Sequence, residues 1–172
     1  MMPQIKRILY TTDLSANSAF LLRYAINSAK KHQAKLVVLH VLEAMSPTAM
    51  ALTMTYIDAE NTLSNSEEKV AYAKKRILER LQTVCNRELK SDFEAEGIVD
   101  SIEVVQGYPA DEILKKVDEL NCDVIFMGTH GKGFLKHSYF GSTSKKVLRR
   151  TRKPVFIVPL PAGETDITIH DD

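Results

Sequence analysis

The chain has no tryptophan, two cysteines and a net charge of only +1 in 172 residues. Cys85 and Cys122 lack the spacing of a metal knuckle or a CxxC redox motif, and they are too few for a disulfide framework. The small net charge gives no reason to expect nucleic acid or an anionic membrane as a partner. No apolar run approaches the roughly 18 residues of a membrane span, and the first residues lack the apolar segment of a signal peptide. We therefore expect one domain in the cytoplasm.

Glycine is scarce as well, and the two best-known glycine-rich phosphate loops are missing. No GxxxxGK string followed by Ser or Thr occurs, which excludes a Walker A loop. A dinucleotide-binding fingerprint would place GxGxxG after the first predicted strand, where residues 11–15 are TTDLS. A phosphate loop in this chain must therefore belong to another class.

Glycines are instead grouped around one strand end and one helix start. Gly128-Thr129-His130-Gly131 follows an apolar run at residues 122–127, and Gly141-Ser142-Thr143-Ser144 precedes a predicted helix. Glycine lets the backbone approach a phosphate closely, and the free N–H groups at a helix start attract negative charge. The hydroxyl groups of Ser142 and Thr143 add donors. Cationic side chains lie between the two strings, namely Lys132, Lys136 and His137. This pattern predicts a site for an anionic group.

Predicted strands and helices alternate along the chain. The strands are residues 6–12, 35–42, 98–106, 122–127 and 155–158, and the helices are residues 15–32, 64–97, 109–120 and 144–150. The segment LVVL at residues 36–39 is too continuously apolar for a strand that is wetted on one face. The alternation predicts an α/β fold with a mainly parallel sheet, but it gives no strand order.

Local signals predict several details. Ser15 is the expected N-cap of the first helix, and Ser64-Asn65-Ser66-Glu67 has the capping-box spacing at the start of the long helix. His40 lies in an apolar strand and is expected to be a hydrogen-bonded core histidine. The long helix has one mixed-charge face that we expect to be solvated, with Lys69, Lys75, Arg76, Glu79, Arg80 and Glu88.

Two segments do not fit the alternation. Residues 43–65 contain three methionines and no clean period, and they are interpreted as a variable insertion or as a lid over a ligand. Residues 161–172 are polar and acidic, and we expect a loosely held tail without a function of its own.

The string G-x2-G-x9-G-S lies between a strand ending in Met-Gly and the closing string KPVFIVP at residues 153–159. In this arrangement the chain resembles the ATP-binding branch of the universal stress protein family over residues 4–160. Residues 8–15 (ILYTTDLS), 39–41 (LHV) and 107–113 (GYPADEI) fit as well. The resemblance implies one domain with an open five-stranded parallel sheet in the order 3-2-1-4-5 and helices on both faces. Strands one and four then meet at the switch point where such sheets bind ligands.

The resemblance also implies ATP as the ligand and suggests where it binds. Thr11, Thr12 and Asp13, with Val41 and Met127, would surround the adenine end. The phosphates would lie on Gly128, Gly131, Gly141, Ser142 and Thr143. Many ATP-binding relatives have proline where this chain has Thr11, a difference that affects the adenine wall and removes no phosphate donor. From the residues alone, Asp13 could equally be a helix-start carboxylate, and His130 could contact phosphate or face solvent.

Three functional hypotheses stay open. The leading one is a nucleotide-binding regulatory module of the stress response. The second is a slow ATPase or adenylyl-transferring enzyme, and the third is an interaction module that has lost its ligand. Hydrolysis needs a held metal and a positioned water, yet no second acidic residue or glutamine is evident beside the glycine loop. We therefore expect slow hydrolysis at most and assign no catalytic residue. Any Mg²⁺ would be held mainly through the phosphates, helped by Ser142 or Asp13.

Strand five lies at the sheet edge in the implied order, and its sequence Val155–Val158 is entirely apolar. Such an edge invites pairing with another chain. Members of the family commonly dimerise through this strand, so the resemblance implies a homodimer.

Overall fold

The observed strands and helices alternate as the sequence predicts. A computed structural model of the protein describes residues 2–44, 59–88, 97–130, 140–161 and 163–169. The elements follow in the order β1 (Arg7–Thr12), α1 (Ser18–His32), β2 (Lys35–Glu43), α2 (Ala59–Glu88), β3 (Val99–Gly107), α3 (Pro109–Glu119), β4 (Val124–Gly128), α4 (Ser142–Arg150) and β5 (Val155–Val158).

The strands form one parallel sheet in the order β3-β2-β1-β4-β5, which is the order implied by the resemblance. In the middle of the sheet, β1 pairs with β2 on one side and with β4 on the other. Because the chain moves outward in opposite directions from these two strands, the winding reverses between them. The carboxyl ends of β1 and β4 therefore border the crevice where open α/β sheets bind ligands.

Helices cover both faces of the sheet, and strand side chains point alternately to the two layers. Ile8 and Tyr10 pack with α1 and α2, whereas Leu9 between them packs with α3 and α4. This two-sided burial explains why residues 36–39 are all apolar, since each is at most 1% exposed. Leu22, Ile26 and Ala29 recur at helical spacing and form the buried stripe of α1.

Two predicted helix starts are wrong. α1 begins at Ser18 with Asn17 as its N-cap, and Ser15 lies before the helix, where its carbonyl oxygen accepts a hydrogen bond from the Ser18 N–H. The long helix α2 already begins at Ala59, so the capping-box string at residues 64–67 lies inside it. Capping signals report the sequence next to a helix end, and tertiary contacts can move that end by several residues. By contrast, Pro109 occupies the first turn of α3 as predicted.

The predicted insertion at residues 43–65 is shorter than expected. Glu43 ends β2, and residues 59–65 belong to α2. Residues 45–58 lie outside the described residues. Gly97, the predicted end of the long helix, has a positive φ of 58° just before β3, whereas α2 is described only to Glu88.

The expectation of a loosely held tail is wrong for residues 163–169, which we name the C-terminal segment. Ile167 is only 2% exposed and belongs to the core layer formed by α1 and α2. Asp166 accepts hydrogen bonds of 3.1 and 2.7 Å from the Arg23 guanidinium. Asn17 accepts a hydrogen bond of 2.7 Å from the Thr168 hydroxyl. The C-terminal segment is therefore docked beside the start of α1.

Candidate functional site

A cavity of about 490 Å³ opens at the carboxyl ends of β1, β2 and β4, next to the first turn of α4. The predicted site residues within the described ranges line it together, namely Thr11, Thr12, Asp13, Val41, Met127, Gly128, Gly141, Ser142 and Thr143. Gly131, with Lys132, Lys136 and His137, lies outside the described residues. The sheet order thus brings two distant stretches of the chain to one crevice.

One end of the cavity is formed by the start of α4. Gly141 is the N-cap in extended conformation, and Ser142 and Thr143 open the helix. The first N–H groups of a helix have no intrahelical acceptor, and no acidic residue occupies the first turn of α4. The positive end of the helix dipole is therefore not offset by a carboxylate of that turn. This end of the cavity is suited to an anionic group.

The backbone around this anionic end is fixed by hydrogen bonds. The Gly141 N–H donates to the Thr129 carbonyl oxygen at 2.7 Å. The hydroxyl of Ser144, which is buried, donates to the carbonyl oxygens of Gly128 and Thr129 at 3.2 and 3.0 Å. Half-buried His130 lines the cavity, with its Nδ1 2.9 Å from the Thr129 hydroxyl. The start of α4 is thereby held against the end of β4.

The described neighbours disfavour a side chain at Gly128 and leave space for one at Gly141. A Cβ on Gly128 would lie 3.1 Å from Cδ1 and 3.2 Å from Cγ of Leu160, which is tighter than ordinary van der Waals contact. A Cβ on Gly141 would come no closer than 3.5 Å to a described residue, at the Thr129 carbonyl oxygen. Packing against the described residues therefore gives no reason for glycine at position 141.

The opposite end of the cavity is formed by the turn after β1. Leu14 has a positive φ of 58°, a conformation that costs a non-glycine residue about 1 to 3 kcal/mol. Two side chains stabilise the turn, since Leu14 N–H donates to the Thr12 hydroxyl at 3.1 Å and Ser15 N–H donates to Asp13 Oδ1 at 3.0 Å. This Asp13 contact uses only one oxygen of the carboxylate.

The second oxygen of Asp13 is buried and has no hydrogen-bond partner among the described residues. Because leaving a buried polar atom unpaired costs free energy, such an atom indicates a missing partner. An ionised carboxylate accepts hydrogen bonds and donates none. This end of the cavity is therefore suited to a donor group of a ligand, whereas the α4 end is suited to an anion.

Apolar side chains line the space between the two polar ends. Leu39 and Met127 are 1% and 3% exposed, and Val41 and Ile113 lie beside them. His40 is 8% exposed and its Nδ1 lies 2.8 Å from the Thr12 carbonyl oxygen, which confirms the prediction of a hydrogen-bonded core histidine. Thr11, found where many relatives have proline, donates its hydroxyl to the Phe126 carbonyl oxygen at 3.2 Å. Its side chain thus joins β1 to β4.

Several lining residues were missed by the sequence analysis. Glu43 ends β2, and Leu160 lies two residues after the end of β5, so both lie at the carboxyl edge of the sheet. Applying the switch-point rule to every strand end would have found them. Other residues are contributed by the first turns of helices and by the end of β2, with no distinguishing sequence signal: Ser18, Leu21, Leu42, Pro109 and Ser144.

The prediction of a solvated Arg80 is wrong. Its side chain is on α2 and the residue is only 4% exposed. Arg80 lies three residues after Ile77 and four before Val84, so it occupies the apolar stripe of the helix rather than the charged face. Its spacing from Ile77 and Val84 could have predicted that Arg80 is buried, but a charged residue is normally expected on the solvated face.

Burial also changes the pKa of Tyr10, which lies on β1. Desolvation raises the pKa of Tyr10 to about 12, and its hydroxyl donates to the Ser18 carbonyl oxygen at 3.0 Å. The phenol therefore stays neutral at physiological pH.

Among the described side chains, no three His, Cys, Asp or Glu residues are grouped so as to hold a metal ion. None of the described helices is both long and apolar enough to cross a membrane.

The fold and the cavity define the class of protein, which is an open parallel α/β domain with a ligand-sized crevice at its switch point. The sequence model of the Universal stress protein family matches residues 4–159. The chain therefore belongs to the universal stress protein family, and the resemblance inferred from the glycine pattern is confirmed at that level.

Relatives of known name are similar over most of their length. Universal stress protein YxiE of Bacillus subtilis is 32% identical over 152 residues, which cover 88% of this chain and 97% of YxiE. Universal stress protein MJ0577 of Methanocaldococcus jannaschii is 26% identical over 153 residues, covering 89% and 94% of the two chains. The solved structure of MJ0577 matches with a TM-score of 0.67 at 25% identity over 94% of this chain and 100% of the other.

A universal stress protein solved in complex with cAMP also has this fold, with a TM-score of 0.59 at 23% identity. The match covers 92% of this chain and 100% of that one. At this identity the likeness concerns the fold alone.

Proposed function

We propose that the cavity binds ATP and that the protein acts as a nucleotide-dependent regulatory module in a stress response. The observation that carries the proposal is the polarity of the cavity. Its α4 end offers N–H and hydroxyl donors to an anion, and its other end offers the unpaired Asp13 oxygen to a donor. A nucleotide has both features, because its phosphates are anionic and its ribose and adenine carry donors.

In this proposal the phosphates lie at the start of α4. Ser142 and Thr143 donate through their N–H and hydroxyl groups, and the backbone of Gly128 and Gly141 approaches the phosphates. Gly131 belongs to the same set through the resemblance. A Cβ on Gly141 would make no close contact with the described residues, and a bound phosphate would explain why glycine is present there.

The nucleoside lies toward the turn after β1. Asp13 Oδ2 accepts a hydrogen bond from the ribose or the adenine, and Val41 and Met127 pack against the base. Thr11 and Thr12 form the cavity wall between Asp13 and the base. Mg²⁺, when bound, neutralises part of the phosphate charge and is held mainly through the phosphates, with Ser142 and Asp13 as the residues of this chain that could assist.

The proposed activity is binding, with slow hydrolysis at most. Phosphoryl transfer requires a group that orients the attacking nucleophile and charge that stabilises the transferred phosphoryl group. Among the cavity-lining residues of the described ranges, the acidic side chains are Asp13 and Glu43. Asp13 follows β1 and Glu43 ends β2, so neither of these carboxylates belongs to the described segments of β4 and α4 that form the phosphate end.

The test is the nucleotide released when the purified protein is denatured, identified by mass spectrometry. We expect about one ATP per chain from the wild type. Gly141→Asp should release none, because its carboxylate would repel the phosphates while a Cβ at this position is tolerated by the packing. Gly163→Asp is the matched control, since a Cβ there meets no atom within 4 Å, and it should retain ATP.

The outcome that contradicts the proposal is absence of nucleotide from the wild type together with no binding of added Mg-ATP. That result would favour an interaction module without a ligand. Repeated release of ADP by the wild type at rates typical of enzymes, about 1 per second or faster, would favour an ATPase instead.

We also propose that the protein is a homodimer joined by antiparallel pairing of two β5 strands. β5 pairs with β4 at the edge of the described sheet. Phe156 on this strand is 47% exposed and Tyr24 beside it is 42% exposed, with ring centroids 6.4 Å apart. An apolar edge with exposed aromatic rings suits contact with a second copy.

Sedimentation velocity tests this dimer at micromolar concentration. Phe156→Lys should sediment as a monomer, because a charge would be placed in the proposed interface. Tyr72→Lys on α2, where Tyr72 is 59% exposed, is the control and should remain dimeric. A monomeric wild type would contradict the proposal.

A further inference from the structure

We propose that Arg80 is a positioning residue that fixes the turn carrying Asp13 and thereby sets the affinity for the nucleoside end of the ligand. This inference rests on the proposed nucleotide binding. No residue of α2 lines the described cavity. The inference gives this helix an influence on the site through the turn after β1.

The Arg80 guanidinium contacts two atoms of the turn after β1 and one atom of α1. Nη2 donates to the Leu14 carbonyl oxygen at 2.7 Å, and Nη1 donates to the Ser15 carbonyl oxygen at 2.6 Å. Nη1 also donates to the Ser18 hydroxyl in the first turn of α1. The planar fork therefore spans from the turn to the helix that follows it, which is a geometry that lysine cannot reproduce.

These contacts act where the backbone most needs support. Leu14 has the positive φ of 58°, and its carbonyl oxygen is one of the acceptors. The amide of the next residue, Ser15, holds Asp13 through Oδ1 and leaves Oδ2 buried and unpaired. The position of Asp13 Oδ2 therefore depends on the turn, and Arg80 on α2 holds the turn in place.

Charge adds to this geometric role. Burial lowers the pKa of Arg80 from its ordinary value, and the nearby Tyr10 and Asp13 act in the opposite direction while Arg76 adds to the decrease. The guanidinium stays a buried cation near the side chain of Asp13, because arginine is effectively always protonated in proteins.

Apolar packing alone gives no reason for an arginine here. Ala73, Ile77, Leu81 and Val84 already bury the inner face of α2, each at most 2% exposed. A buried cation costs desolvation free energy that an apolar residue of similar size would avoid. The contacts to the turn account for its presence.

The experiment compares the dissociation constants of ATP and inorganic triphosphate by calorimetry. The variants are Arg80→Gln, Arg80→Lys and Asp13→Asn, with Lys75→Gln as control, because Lys75 lies on the same helix and its side chain is 74% exposed. Arg80→Gln should weaken ATP roughly tenfold, the loss expected when one hydrogen bond to a charged group is misaligned. Triphosphate affinity should not change, since the phosphate end is held by α4.

Arg80→Lys should lie between the wild type and Arg80→Gln, and Lys75→Gln should match the wild type. Combining Arg80→Gln with Asp13→Asn should add little to Asp13→Asn alone, because both act on the same contact. Should Arg80→Gln not fold, Arg80→Lys carries the test.

The inference is overturned if Arg80→Gln binds ATP like the wild type, or if ATP and triphosphate weaken equally, which would indicate a merely structural role. Wild-type affinity in Arg80→Lys would also overturn it, since charge without the fork would then suffice. A wild type that binds neither ATP nor triphosphate would instead refute the proposed function itself.

Discussion

Asp13→Asn is the most informative single substitution for the proposed site. The asparagine oxygen can still accept from the Ser15 N–H, as Asp13 Oδ1 does at 3.0 Å. The amide nitrogen then replaces the buried oxygen that has no partner in the described part of the chain. The substitution thus keeps the shape of the turn and replaces one acceptor by a donor at the position where a ligand donor is expected.

The expected loss follows from this exchange. A hydrogen bond to a charged group contributes about 1.5 to 3 kcal/mol, so the affinity for ATP should fall roughly 10- to 150-fold. Adenosine, which has the donors and no phosphate, should lose affinity by the same factor. Inorganic triphosphate, which has no such donor, should bind unchanged.

The stability of the free protein should change much less than its affinity. Replacing a buried, unpaired ionised oxygen removes a desolvation cost, whereas the attraction between Asp13 and Arg80 is lost. These effects oppose each other, so we expect the free energy of unfolding to change by no more than about 1 kcal/mol.

Calorimetric titration with the three ligands and urea unfolding provide the two measurements. Equal ATP affinity in Asp13→Asn and wild type would refute the assignment of the nucleoside end. A fall in affinity for triphosphate as large as that for ATP would refute the polarity of the cavity.

Three further predictions concern the site and the core. Gly128→Ala should weaken ATP binding, because its Cβ would lie 3.1 Å from Leu160 Cδ1, and adding Leu160→Ala should restore part of the affinity in the same titration. Ile167→Ala should lower the free energy of unfolding in urea by about 2 kcal/mol, the low end of such losses, because a terminal segment can detach; no change would contradict the docking of the C-terminal segment. Since burial raises the pKa of Tyr10 to about 12, its contribution to stability should be present below pH 10 and lost as pH rises toward 12. Tyr10→Phe should lose less stability than the wild type between pH 8 and about pH 11 in urea unfolding, and identical losses would contradict the assignment.

Much of the candidate site was accessible from the sequence because its polar residues follow strand ends. Gly128 and Asp13 each come directly after a predicted apolar strand, and Ser142 lies just before a predicted helix. These are local patterns, and the resemblance then supplied the strand order that joins them. The structure places these predicted residues in one cavity, although their contact with ATP stays a proposal.

Other features could not be predicted because they depend on which distant surfaces meet. Ile167 is an apolar residue in a polar terminus, and nothing nearby in the sequence indicates that α1 and α2 offer it a place. Arg80 is charged, and its burial depends on the turn at Leu14 lying where the guanidinium reaches it. The capping signal at Ser15 failed in the same way, since the tertiary contacts of Asn17 with the chain end outweigh a local preference worth about 1 kcal/mol.

The sequence by itself determined the alternation of strands and helices, the two-sided burial of the sheet, and the grouping of glycines and hydroxyls at one helix start. Each follows from the period and the chemistry of neighbouring residues, which act over a few positions of the chain. By contrast, the state of Asp13 follows from tertiary contacts, since one oxygen is hydrogen-bonded and the other is buried without a partner among the described residues. The same holds for the support of its turn by Arg80 and for the packing of the C-terminal segment beside α1. These depend on distances between residues far apart in the chain, which the packing of α1 and α2 on the sheet sets.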